Sequence, residues 1–380
     1  MRYPRIHTFL PALAFLLLQG CTDAVAPEFH YILGLPYIDG VVGTTPGTSY
    51  VQISESAREF GVNLNKRVSG ATISFINTQT GKKIGLTELD DAYVPPEGFA
   101  AKAGETWELE VLLPNGKRYL SEAEKINEAI PISRLEVTYD PQLYFSDEFD
   151  SYIPGHRISV DFSDPGGTPN YYYWRYRSFE RLVYCGQCFG RTVLRGGECI
   201  VINFGNEQDE SILKEYYTYA CEERCWQIRY SEKIDLFSDE FTDGAEVTNL
   251  PVADIPLHTK RNILVELQQF ALSEKAYKYY RTLKDLIDNN SGFNAPLPAA
   301  LVGNLYNPDE PEEVVLGRFT AAATSVMPIF IERINIEEEQ LEPIIVGQAE
   351  GLETPAPQVF YAPCINSRYR TTSQPEGWRD

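Results

Sequence analysis

From residue 31 onward, apolar and polar positions alternate with the period of a strand that has one face buried. Thr72, Ser74 and Ile76 interleave with Ile73, Phe75 and Asn77, and Trp107, Leu109, Val111 and Leu113 are separated by Glu108, Glu110 and Leu112. Tyr31–Val42, Ser49–Ile53 and Arg118–Ser121 are equally β-rich. Turn residues stand between these runs. Gln79-Thr80-Gly81-Lys82 and Pro114-Asn115-Gly116-Lys117 punctuate the pattern, and the second carries the Asn-Gly dipeptide of a tight hairpin. Several short strands at this spacing predict a mainly β fold that opens with an immunoglobulin-like β-sandwich over residues 31–132.

A second β-rich domain is expected over residues 133–336. Arg157–Phe162 alternates, Asp164-Pro165-Gly166-Gly167 turns the chain, and "YYYWRYR" then places Tyr172, Trp174 and Tyr176 on one strand face. That face reads as sandwich core, because large aromatic side chains gain most by burial. The opposite face, Tyr171, Tyr173 and Arg175, is the expected solvent-facing contact surface for a ligand. One packed helix is predicted over about 273–289. Ser273 is placed to cap it, and Ala276, Tyr279, Tyr280, Leu283, Leu286 and Ile287 recur at helical spacing. Strand character returns at Val314–Phe319 and Met327–Ile334, and residues 337–380 form an acidic, proline-containing tail.

The N-terminus changes where such a fold would work. Arg2 and Arg5 precede an apolar run, Phe9–Leu18, of roughly 10 residues, which matches an export signal and is half of what spans a bilayer. Residues 1–20 are therefore expected to be a lipoprotein signal peptide, with residues 21–30 as a tether. Leu18-Gln19-Gly20-Cys21 resembles a lipobox, in which the cysteine carries the lipid. Several acyl chains on Cys21 would hold the chain to a membrane, each buried methylene contributing ~0.8 kcal/mol. Asp23 resembles the sorting signal that sends some lipoproteins to the exterior face of the outer membrane.

Charge agrees with a life outside the cell. The chain carries 33 basic and 54 acidic residues, and loss of the first 20 residues removes two arginines and no acid, leaving a net of about −23. Such a surface repels nucleic acid. Its 43% hydrophobic and 12% aromatic content excludes a disordered acidic chain.

Six cysteines follow Cys21: Cys185, Cys188, Cys199, Cys221, Cys225 and Cys364. In an exported protein an even number reads first as disulfides, with Cys364 expected to pin the tail back to the body. Two alternatives share the same residues. Cys185-x2-Cys188 with Cys221-x3-Cys225 approaches zinc-ribbon spacing, and Cys185-x2-Cys188 alone is a redox motif, although the α/β pattern that should surround it is missing.

Candidate chemistry is sparse. His30, His156 and His258 lie far apart and read as ordinary surface or loop residues, and no nucleophile-elbow, P-loop, zinc-protease or dinucleotide signature occurs. "FSDEF" appears at Phe145–Phe149 and again at Phe237–Phe241, where solvated loop acids are expected because neither copy fits an EF-hand loop. No catalytic residue, metal ligand or cofactor is assigned. An enzyme would need a cleft with convergent carboxylates or a metal.

Phrases along the chain carry a resemblance: Cys21 in its lipobox, "VSGATISF" from Val68, "RYLSE" from Arg118, "YYYWRY" from Tyr171, "LSEKAYKYY" from Leu272, "VVLGRF" from Val314, and Cys364 with "QPEGW" near the end. In this order the chain resembles domain-of-unknown-function family 4249, surface-exposed outer-membrane lipoproteins of Gram-negative bacteria. The resemblance implies an N-terminal immunoglobulin-like or carboxypeptidase-regulatory-like β-domain and genes that often neighbour TonB-dependent transporters. It supplies no catalytic residues. The expectation is a non-catalytic surface partner of a transporter barrel, capturing a peptide, glycan or metal-chelate ligand or acting as its lid. The alternative is a free-standing structural or adhesive lipoprotein, or an envelope assembly factor.

Overall fold

A computed structural model describes residues 32–182, 192–195, 198–201, 224–288, 301–341, 364 and 366–379. Its backbone is mainly strand with one helix, Glu274–Asp288, among the described residues, as the hydrophobic patterning predicts. No helix of the described residues is long and apolar enough to cross a membrane. Cys21, Cys185, Cys188 and Cys221 lie outside the described residues, as does the side chain of Cys199.

An 11-stranded sheet forms the middle of the molecule. Its order is Arg370–Thr371, Cys225–Tyr230, Tyr171–Leu182, Ile263–Ala271, Leu316–Ile331, Pro36–Gly43, Tyr50–Glu59, Ala92–Val94 and Thr87–Leu89, with Asp235–Ser238 and Val62–Arg67 attached at the sides. Two smaller sheets share one of its faces. The six-stranded sheet, built around Thr72–Asn77, Thr106–Leu112 and Arg118–Ser121, packs against the Pro36–Gly43 region, where Phe75 and Phe319 meet at 6.0 Å. The three-stranded sheet Arg134–Ser146, Ser151–Ser163, Glu246–Pro256 packs beside it and brings Phe162 within 4.7 Å of Tyr172. The helix covers the other face through Ala276, Tyr279 and Tyr280, against Val41, Phe270 and Ala322. Ser273 starts it as the sequence predicts, its Oγ accepting the Ala276 N–H at 3.2 Å. The Asn115-Gly116 turn also forms, Gly116 taking a φ of 88° between Thr106–Leu112 and Arg118–Ser121.

The sheet and its core cross the boundary expected between residues 132 and 133. Pro36–Gly43 pairs antiparallel with Tyr50–Glu59 on one edge and parallel with Leu316–Ile331 on the other, in register Tyr37↔Leu316 through Gly43↔Ala322. A contact this close needs a glycine. At Gly317, φ is 99° and a Cβ would stand 2.0 Å from the Ile38 carbonyl oxygen. Residues 38–132 thus share one hydrophobic core with residues 158–331, because the first strand finds its second neighbour about 280 residues downstream.

Cys225 and Cys364 form a disulfide across 139 residues. This bond withdraws Cys225 from the four-cysteine zinc arrangement and pins the tail as expected. Arg370–Thr371 then adds to the Cys225–Tyr230 strand, and Trp378 lies edge-on to Trp226 at 6.0 Å and to Phe330 at 5.4 Å.

Candidate functional site

The strand Tyr171–Leu182 presents two unlike faces. Tyr172 and Trp174 are buried and stacked at 5.7 Å; the indole Nε1 donates to Gln269 Oε1 at 3.0 Å, and the Tyr172 hydroxyl donates to Asp164. This is the core face that alternation predicts, with Tyr176 half-buried at its end. The other face is not free in solvent. Tyr171 stacks on Tyr277 at 4.8 Å, Tyr173 stacks on Tyr280 at 5.0 Å, and both partners belong to the helix. An amphipathic helix must bury its apolar stripe, and the second face of the sheet is where this one does so. The expectation that Tyr171, Tyr173 and Arg175 form one solvent-facing surface is corrected accordingly.

Arg175 has a different environment from the two tyrosines. It donates to the Tyr50 hydroxyl, which in turn donates to Asp39 Oδ2 at 2.8 Å, and its guanidinium lies 4.7 Å from the Tyr50 ring centre. Tyr50 sits four strands away in the sheet order, so the sheet is strongly curled to let them meet. Burial pushes the Tyr50 hydroxyl far above its ordinary pKa, and burial likewise raises Asp39 against the pull of Arg175.

A cleft of about 640 Å³ is lined by Tyr144, Phe149, Tyr176, Tyr230, Arg175 and Arg368. Arg368 is itself buried, with its guanidinium 5.1 Å from the Tyr50 ring centre and 4.8 Å from that of Tyr230. At the mouth, the Lys233 ammonium lies 3.6 Å from the Tyr144 ring centre and 3.2 Å from Asp254 Oδ2. Arg157 holds the other oxygen of Asp254 at 3.0 Å. Asp235, also in the wall, has its carboxyl pushed up to about 6 by burial. Aromatic faces beside fixed cations and carboxylates suit a ligand that offers both apolar surface and hydrogen-bonding groups.

The first "FSDEF" copy forms the turn overhanging this cleft. Phe145 and Tyr152 meet edge-on at 5.5 Å across the hairpin, and Phe145, Phe149 and Tyr152 are each about half exposed. The second copy has another use. Asp239 and Asp243 join Asp164, with one oxygen of each within 4.8 Å of the others. Asp164 accepts the Gly244 N–H at 3.0 Å, Asp239 accepts the Asn170 N–H at 2.8 Å, and Asp243 accepts the Gly167 N–H at 2.7 Å. These acids staple the 164–170 turn to the 239–244 loop, so the expectation of solvated acids is corrected for Asp239, which is buried.

His156 also departs from its expected place on the surface. It is buried on Ser151–Ser163, whereas His258 lines the cleft and His30 lies outside the described residues. Sequence reasoning missed Tyr50, Tyr230 and Arg368. Tyr50 approaches Arg175 through the curl of the sheet, Tyr230 by pairing opposite Arg177 on the adjacent strand, and Arg368 through the pinned tail, and nothing local marks them.

Among the comparisons, the family model described as a domain of unknown function (DUF4249) matches residues 23–326. No curated protein and no solved structure matches the chain.

Proposed function

The chain belongs to the DUF4249 family, and on that premise we propose that it is a non-catalytic lipoprotein of the outer membrane, held by Cys21 and facing the cell exterior. Its task in this reading is to serve a TonB-dependent transporter as capture or lid subunit. The observation that carries the reading is the cleft of about 640 Å³ beneath the aromatic turn of the first "FSDEF" copy. Tyrosine rings ordered by the fold bind sugar and peptide faces with little loss of conformational entropy, and Arg175 and Arg368 add donors for carboxylate or chelate oxygens. A peptide, glycan or metal chelate falls within that chemistry. The lipobox at Cys21 and the net charge of the exported chain support the address.

The test is purification from native membranes in mild detergent through a C-terminal tag, with mass spectrometry of the proteins recovered. A β-barrel transporter in a one-to-one amount is the expected result. Recovery of the lipoprotein alone would overturn the transporter reading and favour a free-standing adhesive or structural role.

A further inference from the structure

Tyr50–Glu59 and Val62–Arg67 form a hairpin that turns on only two residues, Phe60 and Gly61, with φ of 50° and 82°. Two-residue turns of this kind favour Asn-Gly, because both positions need the left-handed region that a bulky side chain resists. Phe60 occupies the first position, and nothing within the fold compensates. Its side chain is fully exposed, at 105% of the reference area, and Val62 beside it is 63% exposed.

Two more apolar residues lie at the same end. The Gly34 N–H donates to the Ser56 carbonyl oxygen at 2.8 Å, and Ser56 Oγ donates to the Ile32 carbonyl at 2.5 Å, which holds the entering chain alongside the hairpin. Ile32 and Leu33 are 63% and 59% exposed there. Along the hairpin the cations Arg58, Lys66 and Arg67 balance Glu55, Glu59 and Glu88, with Glu59 paired to Lys66 at 3.0 Å and Glu88 to Arg67, so this end lacks the excess negative charge of the molecule as a whole. Neither the core nor the cleft uses these side chains.

We infer that Phe60, Val62, Ile32 and Leu33 dip into the lipid surface beside the attachment point. The inference rests on the proposed lipid attachment at Cys21. Ile32 is 11 residues beyond Cys21, a reach of at most ~40 Å when fully extended. An apolar tip at the exit of so short a tether is presented to the bilayer that holds it, where rings and branched side chains settle among headgroups and upper acyl chains.

The test introduces Phe60→Trp into the full-length protein, processed in a lipoprotein-sorting bacterium and reconstituted into phosphatidylcholine vesicles with or without brominated acyl chains. Ile334→Trp is the control. Ile334 is 79% exposed, three residues past the end of Leu316–Ile331, which runs parallel to Pro36–Gly43 and continues beyond the Gly43↔Ala322 pair, whereas Ile32 and Phe60 lie beyond the Pro36 end. The emission of each introduced indole is read as the difference from the parent protein, and the mass of the N-terminal peptide reports acylation. Expected is an acylated peptide and, in brominated vesicles, a loss of about half of the emission added by Phe60→Trp, with that added by Ile334→Trp unaffected. Acylated protein in which the Phe60→Trp indole is quenched no more than the control overturns the lipid contact and leaves the anchor standing. The same holds if that indole is shielded instead by a second copy or a protein partner. An unmodified N-terminal peptide removes the anchor, and the lipid contact with it.

Discussion

His156 is 4% exposed, its ring is edge-on to Tyr139 at 5.2 Å, and its Nδ1 has no hydrogen-bond partner. Burial, followed by the nearby Arg333 guanidinium, lowers its pKa to about 4 from an ordinary 6.5. A lowered folded pKa means that the unfolded chain takes up the proton first. The contribution is therefore complete above about pH 6.5 and is lost as the pH falls toward 4, with a ceiling of about 3 kcal/mol. Asp39, Glu124 and Glu180 work in the opposite direction, because burial raises their carboxyls and the fold gains relative stability as they protonate. The histidine effect is thus isolated by comparison with His156→Phe, which keeps an aromatic ring against Tyr139. In urea unfolding at pH 7 and pH 4.5, the parent should lose about 2 kcal/mol more than the variant over that interval. Equal losses would mean that His156 does not titrate in this range. The alternation along Tyr171–Leu182 identified which side chains share a face, and Tyr172 and Trp174 are core for that reason. It held no information about what covers the other face, since the covering helix begins about 100 residues later.

Among the elements, those with one wet face and local turns were legible: Thr72–Asn77, Thr106–Leu112, the Asn115-Gly116 hairpin and the capped helix. Leu316–Ile331 was legible only at its ends. It is one continuous strand where the sequence suggests two, because Phe319–Ala323 is buried on both faces and a strand without a solvent face has no polar alternation to display. The three alanines there, good helix formers elsewhere, are held in a strand by burial on both faces, Ala321 and Ala323 in the main core and Ala322 under the helix. The tail poses the same problem at an edge, since Arg370–Thr371 is too short to nucleate pairing alone. Its order depends on the Cys225–Cys364 bond. Replacing both cysteines by serine, which leaves no new thiol to exchange with the remaining five cysteines, should lower unfolding free energy by up to about 5 kcal/mol from loop closure alone. Limited trypsin digestion checks it. Arg368, buried in the parent, should become an early cleavage site in the variant. Unchanged cleavage would show that the packing of Trp378 holds the tail without the disulfide.

Over the whole molecule, the first strand and the last long strand close the structure, and one buried group marks the closure. Glu124, 5% exposed, receives the Arg318 guanidinium, the Ser273 hydroxyl at 3.1 Å and the Asn304 amide at 3.4 Å. It therefore joins the end of the six-stranded sheet to the helix cap, to the loop before Leu305–Tyr306 and to the strand beside Pro36–Gly43. A sequence cannot announce such a node, because Glu124 and Arg318 are 194 positions apart and each looks like an ordinary surface charge. Burial raises the Glu124 pKa despite the opposing pull of Arg318, so removal of the cation strands a carboxyl that is costly to leave charged. Arg318→Met should cost about 3–5 kcal/mol, whereas Glu124→Gln/Arg318→Met, which removes both charges, keeps an oxygen to accept from Asn304 and offers the Ser273 hydroxyl an amide donor in place of an acceptor, should recover most of the loss. Chemical denaturation followed separately by the tryptophans and by backbone circular dichroism measures both quantities. Because the ion pair ties residues 36–132 to the later strands, the two signals should move together in every variant. Separate transitions, or a double variant no more stable than the single one, would mean that the early strands fold on their own and that the shared sheet is a docking contact between finished domains.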